Sequence, residues 1–438
     1  MMEASHLIKK AKDFFFTQND TVWLFSLLAI AFFSASITIF GGDLNGKKLS
    51  SPFFYMTFIL IFVWVLFKLF FITKNKDYFT IKVLIVLATA FLIGVFNILI
   101  QTPFAAYSFN YFKKIIITFT VLVLTFLSSF GTFHRVLKMV IPLIALVLCI
   151  EIAVSFFSGI GQIYANQTSK NLLYFTFGNS NAAGICFSLL LLMNLYGLFV
   201  FKKIYFKLLF LISIGFLSFL IYKTHARNAI GGIILSLLVF FVLKTNGKND
   251  KKIYDFAVLV ISCSLPIIVI CLYTILATKT NVLDYINYLI GTPGKPATSR
   301  IVTWVSAFKH LNGIHVLIGD YYNSTTLAYN LFQTVPGYQN SQIDFFVDEG
   351  FISALLILIF LFLCVYNRFK NINKNKTINY LPVVLWLFTV FSSIFEVGLF
   401  IGMGSWYIFG FALLSLGSFS RKGIIVKGGN LSYYEMAI

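Results

Sequence analysis

Long apolar runs, separated by short polar stretches, make up most of this sequence. An α-helix needs about 20 apolar residues to cross the hydrocarbon core of a bilayer, and most of the runs approach that length. We therefore predict an all-α, polytopic membrane protein with about twelve transmembrane helices. The predicted spans cover residues 21–42, 53–72, 81–100, 115–131, 140–157, 182–201, 208–222, 229–243, 253–277, 351–366, 380–401 and 403–420.

The composition supports a membrane protein. Hydrophobic residues make up 59% of the chain and charged residues 11%, whereas soluble domains carry about 25% charged residues. All five cysteines lie inside apolar runs, so they indicate neither a disulfide framework nor a thiolate metal site. The net charge of +19 does not indicate a nucleic-acid partner, because Lys and Arg cluster in the short polar stretches between spans.

The distribution of Lys and Arg predicts the orientation of the chain. With both termini in the cytoplasm, the inward segments carry 22 of these residues and the outward segments 11, as the positive-inside rule requires. We treat residues 1–438 as one integral membrane domain. Its only long loop, 278–344, faces outward and is expected to hold short amphipathic helices. The last 15 or so residues are predicted to form a loose tail.

The polar stretch at 222–232, YKTHARNAIGG, places Lys223, His225 and Arg227 on the outward side, where the topology rule does not favour them. A helix that continued through the stretch would put Lys223 and Arg227 on one face. Basic side chains here either reach lipid headgroups or form an anion site. The Gly231-Gly232 pair, which allows close helix packing, favours the anion site.

The long loop contains a second basic motif, TSRIVTWVSAFKHLNGIHVLIGD, at 298–320. Its apolar positions recur at helical spacing. Arg300 lies at the start of this predicted helix, where its guanidinium and the helix N-terminus both favour an anion. The alternative is an amphipathic helix that lies on the membrane. His310 and His315 are five residues apart, a poor spacing for metal ligands, and are interpreted as surface residues.

Two further polar motifs flank outward ends of spans. The stretch GYQNSQIDFFVDEGFIS at 337–353 carries Asp344, Asp348 and Glu349, and the first two share a helical face. It is either a solvated acidic helix start or part of a site. The stretch FGNSNAAG at 177–184 carries Asn181, which either belongs to the site or caps the following helix.

Together these stretches resemble elements of the O-antigen polymerase and ligase superfamily of bacterial envelopes. THARNAIGG is similar to its Ser/Thr–x–Arg–Gly/Asn element, and TSRIVTW to its Ser-Arg–x3–Trp element. YQNSQIDFFVDEG resembles the His-Asn…Glu element of the family, and GNSNAAG its Gly-Asn-x-Asn-Ala element. The resemblance covers about residues 170–366. It implies a membrane-embedded GT-C glycosyltransferase in the bacterial cytoplasmic membrane and a polyprenyl-diphosphate-linked oligosaccharide as substrate.

The resemblance also implies roles for individual residues. Arg227 and Arg300 would hold the donor diphosphate. The resemblance leaves the catalytic base unassigned; Asp344, Asp348 and Glu349 are the candidates, and Asp344 comes first because it lies one helical turn beyond Asn340. Ligases place a histidine where this chain has Gln339, and an amide cannot accept a proton at neutral pH. This difference favours a repeat-unit polymerase over a ligase. The other residues expected to bind substrate are Lys223, His225, Asn181, Trp304, Tyr338, Gln339, Asn340, Asp348 and Glu349.

No metal and no cofactor are expected. Metal-dependent lipid-linked sugar transferases tend to carry paired carboxylates in an early outward loop, where this chain offers only Asp43. The charge of the phosphates would therefore be met by arginine, whose planar fork binds them bidentately.

Competing functions stay open, and several partners are expected. The alternatives are an O-antigen ligase, a protein oligosaccharyltransferase, or a lipid-linked oligosaccharide flippase. A flippase is disfavoured because no internal repeat relates two halves of the chain. The expected partners are membrane lipids and, from the same pathway, a chain-length regulator and a flippase.

Overall fold

The structure is a computed structural model. It describes residues 131–159, 164–167, 170–173, 180–246, 311, 313–320, 381–395, 422–427 and 430–435. It also describes residues 63, 88, 89, 92, 343, 346–348, 350–353, 355 and 356. The first four predicted spans and those at 253–277 and 403–420 therefore lie almost wholly outside the described residues.

The described part of the chain is mainly helical. In chain order, its elements are α1 (Gly131–Ser158), β1 (Tyr164–Gln167), β2 (Lys170–Leu173), α2 (Ser180–Val200), α3 (Ile204–Thr224), α4 (Arg227–Asn246), α5 (His315–Ile318), α6 (Leu381–Phe395), β3 (Lys422–Lys427) and β4 (Asn430–Glu435). Residues 343, 346–348, 350–353, 355 and 356 are also helical.

Three of these helices contain segments long and apolar enough to cross a membrane: Ile141–Ser158, Ala183–Val200 and Ile204–Thr224. A shorter apolar helix covers Arg227–Val242. These helices and α6 fall on five of the predicted spans, with ends that differ by a few residues except at the start of α1 and the end of α6. The prediction of a helical membrane protein is thus confirmed in its coarse form.

Helix α2 lies at the centre of the bundle. It packs against α1, α3, α4 and α6, and most of its side chains are buried. A helix that is apolar on all sides is expected to occupy such a position. Its buried polar groups hydrogen-bond to the helix's own backbone: Ser188 Oγ donates to Gly184 O at 2.7 Å and Asn194 Nδ2 to Leu190 O at 2.8 Å. Backbone acceptors serve this purpose where no water is present.

Helix α3, in contrast, leaves a broad apolar face exposed, which includes Leu208, Leu211 and Ile212. A face of this kind suits contact with lipid chains. The opposite face packs on α2, where the buried ring of Phe210 lies 2.5 Å from the position that a Cβ on Gly197 would occupy. Only a glycine at residue 197 leaves room for this ring.

Helices α1 and α3 run in the same direction and end at the same side of the bundle. The thiol of Cys149, in the middle of α1, donates to Ser213 O of α3 at 3.8 Å. Seven residues further along α1, the Phe156 ring lies 5.9 Å from the ring of Phe216 and 5.8 Å from that of Phe219. The order of these contacts along both helices establishes the parallel arrangement.

Helix α4 packs against α6 through the second glycine of the pair at 231–232. A Cβ on Gly232 would lie 2.9 Å from the ring of Phe388, and that ring is fully buried. The close approach of these two helices agrees with the packing role expected for the glycine pair.

Two antiparallel hairpins complete the described structure. Strand β1 pairs with β2 through Gln167 and Lys170 at the turn, and β2 contacts α2 and α3. Strand β3 pairs with β4, so the C-terminal residues form a hairpin and the prediction of a loose tail is wrong. Two glycines at 428–429 connect these strands, and Gly-Gly is a favoured two-residue hairpin connection because both residues tolerate positive φ.

Candidate functional site

A tight turn between α3 and α4 carries the first basic motif. His225 closes α3 in the left-handed conformation (φ 52°, ψ 25°), and its N–H donates to Tyr222 O at 3.1 Å. The Thr224 hydroxyl donates to Ile221 O at 2.7 Å and accepts the Ala226 N–H at 3.3 Å. This hydroxyl therefore hydrogen-bonds to one carbonyl and one N–H group at the end of the helix, where backbone groups lack partners within the helix.

The turn separates the basic residues onto two helices. Lys223 belongs to the last turn of α3 and Arg227 is the first residue of α4. The helix does not continue through the motif, so the two residues do not share a helical face at i and i+4. The reason is the left-handed conformation of His225, which ends α3 before Arg227 begins α4. Both side chains nevertheless remain at the same end of the bundle.

The basic side chains of this turn, Lys223, His225 and Arg227, are exposed. Lys223 Nζ lies 5.6 Å from the centre of the Phe219 ring, within cation–π range. The His225 ring lies 5.8 Å from that of Tyr222. A negatively charged group at this turn would meet two permanent cations and the N-terminal N–H groups of α4, whose dipole also favours anions.

The start of α2 packs directly on this turn. A Cβ on Gly184 would overlap the Ala226 Cβ and would lie 2.9 Å from Thr224 Oγ1 and 3.3 Å from the Ala229 Cβ. The structure therefore brings together two of the motifs that the sequence singles out, 177–184 and 222–232. There is no space for a side chain at residue 184, so the position of the turn depends on the glycine at this position.

Asn181 lies one turn before Gly184, at the same end of the bundle. It is half-buried and is the second residue of α2, which begins at Ser180. Its side chain is therefore within the first turn and does not occupy the N-cap position. The neighbouring Asn179 lies outside the described residues.

Sequence reasoning did not single out Asn228 in this turn. Its Oδ1 accepts the Ala229 N–H at 2.9 Å, while its Nδ2 is buried without a hydrogen-bond partner among the residues that the structure describes. A buried donor of this kind costs about 1–3 kcal/mol if it stays unsatisfied. The signal in the sequence was its place directly after Arg227, at the start of a helix. Asn228 adds an uncharged donor beside the cations of the turn.

A second contact joins the end of α5 to the helical residues at 346–353. The Asp320 N–H donates to Val347 O at 2.8 Å. Gly319 (φ 86°) and Gly350 (φ 77°) lie against each other's backbone, and a Cβ on either would overlap the opposing chain. Both glycines are required here, since the conformation and the space each exclude a side chain.

Two aspartates beside this glycine contact are buried. Asp348, expected to bind substrate or to form part of a solvated helix start, is only 7% exposed, and Asp320 is 5% exposed. The burial of Asp348 excludes a solvated helix start at this residue. Asp320 follows Gly319 in the motif IGDYY, and its burial is not apparent from the sequence. His315 is half-buried, and its Nδ1 lies 3.1 Å from Gly319 O, so it is part of this turn and not a free surface residue.

Most of the remaining predicted site residues lie outside the described part of the chain. These are Arg300, Trp304, Tyr338, Gln339, Asn340, Asp344 and Glu349. Within the described part, His, Cys, Asp and Glu side chains form no group of three that could hold a metal ion. Since Asp43 is also outside it, metal independence stays a prediction.

Three comparisons with known proteins found no match to this chain. These were a scan with protein-family models, a search of curated proteins and a search of solved structures.

Proposed function

We propose that this protein is a repeat-unit polysaccharide polymerase that uses polyprenyl-diphosphate-linked oligosaccharides at the outer face of the bacterial cytoplasmic membrane. The observation that supports this most is the packing of Gly184 on the turn at 224–229. It places two motifs of the resemblance at one end of the bundle, beside three exposed basic side chains.

The chemistry of the turn fits a diphosphate. Arg227 carries a permanent charge and a planar fork that matches two phosphate oxygens, and Lys223 adds a point charge from the preceding helix. As the bond to the leaving group breaks, negative charge develops on the diphosphate. Cations already in position stabilise this charge without reorganisation, which lowers the barrier. Arg300 is proposed to act with Arg227 on the same group.

In the proposed reaction, a hydroxyl oxygen of one lipid-linked repeat attacks the anomeric carbon of the chain on another carrier. The new glycosidic C–O bond forms while the bond from the anomeric carbon to the diphosphate oxygen breaks. The hydroxyl proton passes to a carboxylate, for which Asp344 is the first candidate. The products are a chain longer by one repeat and free polyprenyl diphosphate.

The proposal includes the finer architecture. About twelve spans, both termini in the cytoplasm and a GT-C arrangement would place the 278–344 loop over the turn at 223–227. Trp304 and Tyr338 would stack on sugar rings, and Gln339, Asn340 and Glu349 would bind the glycan. A chain-length regulator and a flippase would be the protein partners.

The function is tested with the purified protein in proteoliposomes supplied with one polyprenyl-diphosphate-linked repeat unit. We expect a ladder of longer glycans and release of polyprenyl diphosphate, both undiminished in excess chelator. A Lys202→Ala variant is the matched control, because Lys202 is an exposed basic residue in the turn between α2 and α3, at the other end of the bundle.

Three results would contradict the proposal in different ways. Transfer of intact glycan to a core-lipid or protein acceptor without chain growth would indicate a ligase or an oligosaccharyltransferase. Movement of the lipid-linked repeat between leaflets without any new bond would indicate a flippase. Activity lost to chelator and restored by Mg²⁺ or Mn²⁺ would refute the metal-independent mechanism.

A further inference from the structure

Four phenylalanines form one aromatic cluster where α1 ends beside α3. The Phe156 ring packs edge-on against Phe157, Phe216 and Phe219, at centroid distances of 5.4, 5.9 and 5.8 Å. Phe157 stacks on Phe216 at 6.1 Å with an interplanar angle of 23°. These separations are those of favourable aromatic pairs. We call these four residues the phenylalanine cluster.

The phenylalanine cluster is open on its outer side. Phe157 is 79% exposed and Phe219 is 42% exposed. In a helix that crosses a membrane, an exposed apolar surface of this kind contacts lipid chains. Elsewhere, the exposed face of α3 carries Leu208, Leu211 and Ile212, which are aliphatic. The rings of the cluster therefore lie at one end of an aliphatic face, and the exposed ring of Tyr205 lies at the other end.

The cluster continues directly into the basic turn. Phe216, Phe219 and Lys223 follow one another at i, i+3 and i+7 of α3, the spacing of a single helical face. Lys223 Nζ lies 5.6 Å from the Phe219 ring centre. A ligand along this surface would thus meet apolar rings first and a cation next. Arg227 lies beyond the turn, at the start of α4.

An apolar surface that ends in cations fits a lipid with an anionic phosphate head. The rings favour an isoprenoid over a straight acyl chain for a physical reason. Each isoprenoid unit has a flat, methyl-branched double bond that stacks on the face of a ring, whereas a saturated chain gains equally from aliphatic side chains. An ordinary phospholipid would be served as well by the leucines and isoleucine further along α3.

We propose that the phenylalanine cluster binds the isoprenoid chain of a polyprenyl diphosphate, next to its phosphate-bearing end, with Lys223 on the phosphate. This inference rests on the proposed function and deepens it, because it assigns the lipid part of the substrate to the surface between α1 and α3. The sugar part would then extend past Arg227, away from the bilayer.

The test measures binding of undecaprenyl diphosphate without sugar to the protein in phosphatidylcholine nanodiscs, by titration. The double variant Phe157→Leu/Phe219→Leu retains apolar side chains but removes two rings. We expect its Kd to rise about tenfold. The single variant Phe157→Leu, at the most exposed position, should raise Kd severalfold without altering the fold. Lys223→Gln should also weaken binding.

Matched controls separate this site from general lipid contact. Phe199→Leu and Phe241→Leu alter exposed phenylalanines of α2 and α4 that lie outside the cluster, and should leave Kd unchanged. Phosphatidylglycerol and inorganic pyrophosphate are titrated in parallel. The ring substitutions should not change the Kd of either, since one lacks the isoprenoid chain and the other lacks any chain.

Two results would overturn the inference: an undecaprenyl diphosphate Kd unchanged in both ring variants, or an equal loss of phosphatidylglycerol binding. Neither depends on glycosyl transfer, so the inference and the proposed function fail separately. If the ring substitutions weaken undecaprenyl diphosphate binding but the wild-type protein makes no polymer, the proposed function is refuted and the inference is not. Normal polymer from a double variant that binds as the wild type does would refute the inference alone.

Discussion

Gly184 of α2 packs against the Ala226 methyl of the α3–α4 turn, and no side chain fits at residue 184 beside that methyl. We predict that Gly184→Leu forces the turn away from α2. Overpacking of a filled site costs about 1–3 kcal/mol, so the thermal unfolding temperature should fall and polymer formation should be lost.

A paired substitution checks that this contact is the cause. Gly184→Ala places one methyl group against the Ala226 methyl, and Ala226→Gly in the same chain removes that opposing group. The double variant should recover part of the unfolding temperature lost in Gly184→Ala. Additive losses in the double variant would show that the clash lies elsewhere, for example at Thr224.

His225 closes α3 in a conformation that favours glycine. A side chain in the left-handed region costs about 1 kcal/mol, so His225→Gly should unfold at the same temperature as the wild type or higher, while His225→Val should unfold lower. Because the imidazole is lost in both, glycan transfer should fall in both. Unfolding of the glycine variant as low as that of the valine variant would mean that the histidine ring itself holds the turn.

The Gly319–Gly350 contact allows a test with a control in the same segment. Gly313 and Gly319 both have positive φ, but only Gly319 is packed against another backbone. Gly319→Ala and Gly350→Ala should therefore destabilise the protein by more than the conformational strain of about 1 kcal/mol that Gly313→Ala introduces. Equal unfolding temperatures for the Gly313 and Gly319 variants would contradict the tight contact.

Two exposed lysines lie at opposite ends of α3, Lys202 just before it and Lys223 in its last turn. The 21 residues of this helix span about 30 Å, which matches the hydrocarbon core. We predict that Lys223→Cys and Lys202→Cys, each in a background without the native cysteines, lie on opposite sides of the membrane. A membrane-impermeant thiol reagent should label Lys223→Cys in intact spheroplasts and Lys202→Cys only after lysis. Labelling of both before lysis would refute the span, and the reverse pattern would refute the orientation.

In the described part of the chain, the predicted spans agree with the helices because a run of apolar residues is a local property. The ends of α2, α3 and α4 fall within a few residues of the predicted spans. The sequence also predicts the position of the break between α3 and α4, at 223–228, but not the conformation that causes it. A glycine would have signalled the left-handed residue, whereas His225 adopts that conformation with its neighbours' support, through Thr224 Oγ1.

The contacts between distant segments were not predictable in the same way. The packing of Gly184 on Ala226 depends on how two helices are rotated about their axes, which the nearly all-apolar α2 does not encode in its pattern. Asp348 is buried at a contact in which Gly319 of another segment packs against its backbone. A carboxylate in an isolated helix start is expected to be solvated, so the local sequence could not decide between a solvated residue and a buried one.

The central claim is that the turn at 223–227 stabilises the diphosphate of a growing lipid-linked chain. The most direct measurement is the chain-length distribution of surface polysaccharide in cells whose only copy of the protein carries Arg227→Ala, Arg227→Lys or Lys202→Ala. Loss of a charge-assisted contact worth roughly 1.5–3 kcal/mol slows transfer about ten- to a hundredfold. We predict single repeat units at the surface without long chains for Arg227→Ala, partial recovery for Arg227→Lys, and normal chains for Lys202→Ala. Full-length chains retained on the carrier in Arg227→Ala cells would indicate a ligase, and wild-type chains at their surface would remove Arg227 from the site.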